Sequence, residues 1–154
     1  MRLAWPPGAR STRDGAAMWV TPDIARADPG LREMLASLPP AVRADLRAQI
    51  KRKRDRALEG TLQFCPCGPS QRGCAHDVKQ SVRRPLVLEM RWKNVIDEDG
   101  AHLAARLSFT EPEHLDELTF LTFRAKYPDT AGWRAAQNGH MDEAEAVRLA
   151  HFSS

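Results

Sequence analysis

The sequence is short of the features that usually announce a class. Cysteine occurs three times in 154 residues. That odd count is too small for a disulfide scaffold, so a reducing cytoplasm is the expected setting. No apolar run approaches the roughly 20 residues that span a bilayer, which argues against a transmembrane helix and against a membrane partner. The opening Met1-Arg2-Leu3-Ala4-Trp5-Pro6-Pro7 has a charge but no apolar stretch of signal-peptide length, so export is not expected. Tyrosine occurs once, and all but five of the 23 Lys+Arg residues are arginine.

What is present fits an ordinary folded domain, with 42% hydrophobic and 28% charged residues. A chain of this length buries enough surface to fold without disulfide or metal. Charge is unevenly spread. Residues 1–84 carry 16 Lys+Arg against 8 Asp+Glu, a net of +8; residues 85–154 carry 7 against 12, a net of −5. An arginine-rich basic half suits phosphate contact and points to an anionic partner such as nucleic acid. Codon bias of a high-GC genome would raise arginine equally well.

Residues 1–16, rich in Pro, Gly and Arg without periodicity, read as a flexible arm. Ala17-Met18-Trp19-Val20 is compatible with one strand. Leu31, Met34, Leu35 and Leu38 follow Asp28-Pro29 at the spacing of one helical face. After Pro39-Pro40, Val42, Leu46 and Ile50 mark a longer helix that Gly60 stops. Residues 61–82 have no period and read as an irregular insert. Leu86, Leu88 and Met90 alternate into a strand, and Asp97-Glu98-Asp99-Gly100 is a hairpin-type turn. Leu103, Ala105, Leu107 and Phe109 share one face of the next strand, opposite Arg106. Residues 118–126 are apolar on both faces and predict an interior strand. A last helix over about 131–151 carries Trp133, Ala136, His140, Ala144, Val147 and His151 in one stripe. Residues 17–154 are thus one α+β domain: a small antiparallel sheet, two N-terminal helices and one C-terminal helix.

Four stretches, in this order, resemble the RelE/ParE toxin superfamily, in its HigB-like, phage Gp49-like branch. Trp19-Val20-Thr21-Pro22, followed by residues 35–43, is similar to the family's opening strand and helical pair. Gly68-Pro69-Ser70, Val78-Lys79 and Leu86-Val87-Leu88-Glu89-Met90-Arg91 resemble its Gly-Pro-Ser loop and Leu-x-Glu-Leu-Arg strand. Arg106-Leu107-Ser108-Phe109 resembles the next strand. Phe123-Arg124-Ala125-Lys126, with Trp133, Asn138 and Glu143-Ala144-Glu145, resembles the last strand and helix. The likeness spans about residues 17–152.

The resemblance implies the toxin of a type II toxin–antitoxin system: an endoribonuclease that cleaves mRNA on the ribosome and is neutralised by a cognate antitoxin, expected to be of helix-turn-helix type. Such cleavage uses the RNA 2′-OH as nucleophile, so it needs a base, cations for the phosphorane and an acid, but no metal or cofactor. Arg91, Arg106, Lys126 and His151 take the catalytic positions by that likeness. Lys79 and Arg124 join them as RNA-binding candidates, each with an ordinary solvent-facing reading beside it. His140, on the same stripe as His151, reads equally as packing. Family members carry Tyr or Asp near the final histidine, whereas Ala150 and Phe152 stand here. A catalytically silent binding module on the same fold, or a ParE-like gyrase inhibitor, are therefore the alternatives.

Two further clusters stand out. Lys51, Arg52 and Arg54 lie in a dense basic helical run that would grip RNA or receive an acidic antitoxin segment; the plain reading is a solvated face. Cys65, Cys67, Cys74 and His76 form a C-x-C-x₆-C-x-H array, four ligands suited to a structural zinc with no open position for catalysis. Loose thiols in an irregular insert are the other reading, and a small zinc-binding phage or mobile-element adaptor is the function in which this cluster matters most.

Overall fold

The computed structural model describes residues 14–65, 76–81, 83–127 and 131–153, leaving aside the side chains of Asn94 and Trp133. In chain order the elements are β1 (Met18–Val20), α1 (Asp23–Ala27), α2 (Gly30–Ala36), α3 (Pro40–Glu59), β2 (Val78–Gln80), β3 (Leu88–Ile96), β4 (His102–Thr110), β5 (Glu117–Lys126) and α4 (Trp133–Phe152).

Local sequence explains the helix ends. Pro40 occupies the first position of α3, where its missing N–H costs nothing. Gly60 then ends the helix with φ 74°, and the Gly60 and Thr61 amides donate back to the carbonyls of Ala57 and Arg56 at 3.2 and 3.0 Å. A side chain at Gly60 would both strain that left-handed backbone and collide with the chain at Asp14–Gly15.

The strands form one sheet in the order β1-β5-β4-β3-β2. β2–β3, β3–β4 and β4–β5 pair antiparallel, but β1 pairs parallel with β5. The α+β class holds, while the sheet is mixed rather than purely antiparallel. β2 falls inside the stretch 61–82 that reads as irregular; three residues are too few to show a period-two pattern. Neither β1 nor β2 is long, so the sheet's two edges expose little unpaired backbone. β5 is interior, as its two apolar faces require.

The alternation within strands sorts the sheet into two faces. On one, Met90, Trp92, Leu103, Ala105, Leu107, Phe109 and Phe123 pack beneath Leu46, Ile50 and Ala57 of α3 and Met34, Leu35 and Leu38 of α2 and its C-terminal turn. Trp92 stacks on Phe123 with ring centroids 6.2 Å apart. On the other, Met141, Ala144 and Val147 of α4 cover Val87 and Leu121. Sequence periodicity places Ala144 and Val147 in the buried stripe correctly but misses Met141, because the stripe drawn through His140 and His151 is rotated from the one that packs. Among the described residues no helix is long and apolar enough to cross a membrane.

Candidate functional site

Strand register builds the site. Arg91 pairs with Arg106, and Arg106 with Arg124, so three arginines stand in one row across β3, β4 and β5. Directly paired residues project to the same face. Lys126 lies two residues beyond Arg124, and Lys79 pairs with Glu89, two residues before Arg91. All of these share the face that α4 partly covers. Like charges set side by side repel, so the row needs counter-charges to stand.

Carboxylates supply them. Arg106 Nη1 donates to Glu89 Oε1 at 2.8 Å, with both side chains nearly sealed from solvent (10% and 6% exposed). Its Nε is buried with no hydrogen-bond partner among the described residues. Arg124 is held more completely. Its Nε and Nη2 donate to Glu143 at 2.9 and 2.7 Å, its Nη1 and Nη2 to Asp28 at 2.8 and 2.5 Å, and Nη1 also to the Phe123 carbonyl at 2.8 Å. All five of its N–H groups are thereby taken. Arg124 clips the α1–α2 junction, β5 and α4 together, and the Asp28 carboxyl is held below its ordinary range chiefly by that guanidinium. Tight packing extends to Gly30, where any side chain would collide with the Phe123 carbonyl and Arg124.

Lys126 is the most perturbed cation. Burial first, then the positive charges of Arg106, Arg91 and Lys79, outweigh the pull of Glu89 and bring its ammonium down to about 8. Glu89, ion-paired to Arg106, lies on the same sheet face as Lys79, Arg91 and Lys126. Arg91, Arg106 and Lys126, three of the four residues that the resemblance makes catalytic, share this face, and Lys79 stands on it beside them. Arg124 shares the face, but its donors are committed to the fold.

His151 stands apart. It occupies the last turn of α4, edge-on to Phe152 with centroids 4.7 Å apart. His140 lies about 16 Å nearer the start of the helix, at 1.5 Å rise per residue. It is half-buried, and burial lowers its pKa against the raising influence of Glu143, with Arg124, Arg106 and Glu89 also acting on it. His140 is therefore the histidine beside the cationic row. The stripe reasoning that paired it with His151 could not tell which end of α4 overlies the arginines.

Next to Glu89 a cleft of about 440 Å³ opens between β2 and the first turns of α4, lined by Lys79, Gln80, Glu89, Gln137, Asn138 and Met141 among others. Its wall is braced by Arg83 and Arg84, both donating to Asp142, whose carboxyl falls to about 2 mainly through Arg83. Sequence reading passed over Glu89 as a site residue, although strand alternation already points it the same way as Arg91.

The basic run of α3 lies elsewhere, on the helix that covers the opposite sheet face. Lys51 pairs with Asp55 at 3.0 Å, and Arg54 lies over Trp19, 5.1 Å from the ring centroid. Arg52 is exposed. Their neighbour Lys53 is structural: it donates to the Arg91 carbonyl at 3.0 Å and sits 5.1 Å from the Trp92 centroid.

Of the zinc array, Cys67 and Cys74 lie outside the described residues. Cys65 is buried, and its amide donates to the Val78 carbonyl at 2.7 Å, so the backbone on either side of segment 66–75 is brought together. His76 Nδ1 is buried with no hydrogen-bond partner among the described residues. Among the described residues there is no group of three or more metal-binding side chains. Comparison of the chain with protein-family models, with curated proteins and with solved structures finds no match.

Proposed function

We propose that this chain is a metal-independent endoribonuclease of the RelE/ParE toxin type, acting on ribosome-bound mRNA and held in check by a cognate antitoxin. The observation that supports the reading is the strand register that sets Arg91, Arg106 and Arg124 in one row on the face carrying Lys79, Glu89 and Lys126, where the Lys126 ammonium is lowered to about 8 and the His140 pKa is lowered as well.

RNA cleavage by its own 2′-OH needs two proton transfers and charge stabilisation between them. At neutral pH His140 is largely neutral and able to accept the 2′-OH proton. The new bond forms from that oxygen to the adjacent phosphorus. Arg91 and Lys79 hold the non-bridging oxygens as negative charge builds on them. Lys126, still mostly protonated near pH 7 yet a far stronger acid than an ordinary lysine, delivers its proton to the departing 5′-oxygen. The products are a 2′,3′-cyclic phosphate and a 5′-hydroxyl. Two groups whose environments set their pKa values on either side of neutrality form a matched acid–base pair. Glu89 and Arg106 act beneath them, fixing the sheet face rather than touching RNA.

A second reading, a catalytically silent module, draws on the internal use of Arg106 and Arg124: two of the row's guanidiniums are occupied by carboxylates. It gives RNA binding without cleavage.

The experiment is cleavage of a defined mRNA by the purified chain, with and without ribosomes, read by primer extension and by the chemistry of the new ends. Ribosome-dependent cuts bearing 5′-hydroxyl ends, lost in Arg91→Ala and Lys126→Ala, are expected. Intact mRNA under both conditions overturns the reaction.

A further inference from the structure

A second cavity lies away from the cleft beside Glu89. A groove of about 630 Å³ opens at the β1 edge of the sheet, between the α1–α2 pair and α3. Its floor is apolar, with Trp19, Leu35 and Phe120 among its residues, and its walls carry Arg26, Arg32, Arg47, Lys51 and Arg54. Only two acids line it, Asp28 and Asp55, and both are already engaged, with Arg124 and Lys51. Arg32 and Arg47 are exposed, and among the described residues neither makes a hydrogen bond or ion pair.

Ile24, 55% exposed, is the most exposed large apolar side chain among the described residues and adjoins the lining residue Ala25 in α1. An open groove with an apolar floor under a cationic rim is the mark of a contact surface.

We propose that this groove docks an acidic peptide segment of a partner protein, its apolar side chains seated on Trp19, Leu35 and Phe120 and its carboxylates on Arg32 and Arg47. Charge complementarity selects this occupant. The chain's own residues 1–13 contain three arginines and no acid, so the rim repels them. RNA fits poorly as well. Stacking of a base on Trp19 is obstructed, since Arg54 lies over the ring and Phe109 meets it at 64° with centroids 5.5 Å apart. The indole N–H is also committed, donating to the Arg54 carbonyl at 3.0 Å.

The test is selection of a random peptide display library on the immobilised full chain, followed by affinity measurement of the enriched peptides and hydrogen-exchange footprinting. Enriched peptides are expected to be acidic with interspersed apolar residues and to protect α2 and the middle of α3. They should lose roughly tenfold or more in affinity for the Arg32→Glu/Arg47→Glu chain and weaken with added salt. Both arginines are exposed and make no hydrogen bond or ion pair among the described residues, so the double variant keeps its fold; its unfolding midpoint checks this. Four results overturn the proposal: no enrichment, enriched peptides that bind the variant equally well, binding seen only after removal of residues 1–13, or the same footprint produced by a single-stranded RNA oligonucleotide or by self-association of the chain. None of these depends on cleavage at the sheet face, so the two proposals fail separately.

Discussion

Arg106 and Glu89 form a buried ion pair across adjacent strands, 2.8 Å apart, on the face that also carries Lys79, Arg91, Arg124 and Lys126. The carboxylate sets a negative charge on that face. Burial raises the cost of breaking the pair, because removing one partner strands a charge in low dielectric. Glu89→Ala should therefore lower unfolding free energy by about 3–5 kcal/mol, while the double replacement Glu89→Leu/Arg106→Met should recover most of that loss. Urea denaturation of the three chains checks both statements. Equal destabilisation in the single and double variants would show that side-chain volume, not charge, dominates there.

The lowered Lys126 pKa carries a pH signature in stability. The folded state releases this proton at about 8, whereas the unfolded chain releases it near the ordinary 10.5. Between those values the unfolded chain binds more protons, so stability rises with pH. Below about 8 both states are charged, and the penalty for holding a partly buried ammonium, with other cations near it, is fully present. Lys126→Gln should thus be more stable than the parent near pH 7, and the difference should shrink as pH climbs from 8 towards 10. Unfolding midpoints across that range measure it; a constant difference would mean that the lysine is not strained by its neighbours.

Arg124 holds α4 to the body of the protein through Glu143 and to the α1–α2 junction through Asp28. Arg124→Met should cost about 2–3 kcal/mol, the scale of lost charge-assisted hydrogen bonds with partial burial. It should also speed amide exchange in the first turns of α4. Arg124→Lys should restore little, since a single ammonium cannot bridge two carboxylates in fork geometry. In acid the clip should fail as Asp28 protonates. Its folded pKa lies below 3.8, so its contribution is present above that value and disappears as pH falls through the lowered one.

Which parts of this arrangement the sequence discloses follows from the reach of each pattern. Alternation in residues 86–91 and 103–109 is long enough to fix which side chains share a face, and it sets Arg91 and Arg106 together. Helical spacing finds the buried stripes of α2 and α3 through Leu35, Leu38, Leu46 and Ile50. Pairing between distant segments leaves no local trace. The parallel β1–β5 contact and the three-residue β2 are therefore invisible, as is the meeting of Arg124 with Asp28 across 96 positions. The same blindness affects charge. A basic residue in the sequence looks available, yet Arg124 and Arg54 are engaged inside the fold, and only the tertiary structure shows it.

The two histidines of α4 give the sharpest test of the reaction. His140 sits by the arginine row; His151 is on the final turn, where the family likeness would seat a catalytic histidine. If His140 is the base and Lys126 the acid, cleavage should follow a bell-shaped pH profile. Its rising limb lies below the ordinary imidazole value of 6.5 and its falling limb is near 8. His140→Ala should cut the rate by roughly 10²-fold or more, the usual scale for loss of a proton-transfer group, and should abolish the rising limb. His151→Ala should leave rate and profile close to those of the parent. Lys126→Arg, which keeps the charge but raises the pKa, should slow cleavage and remove the falling limb. A rate that instead climbs through pH 8 would make Lys126 the base and His140 a packing residue. Loss of activity in His151→Ala with His140→Ala unaffected would move the chemistry to the far end of α4, away from the arginine row.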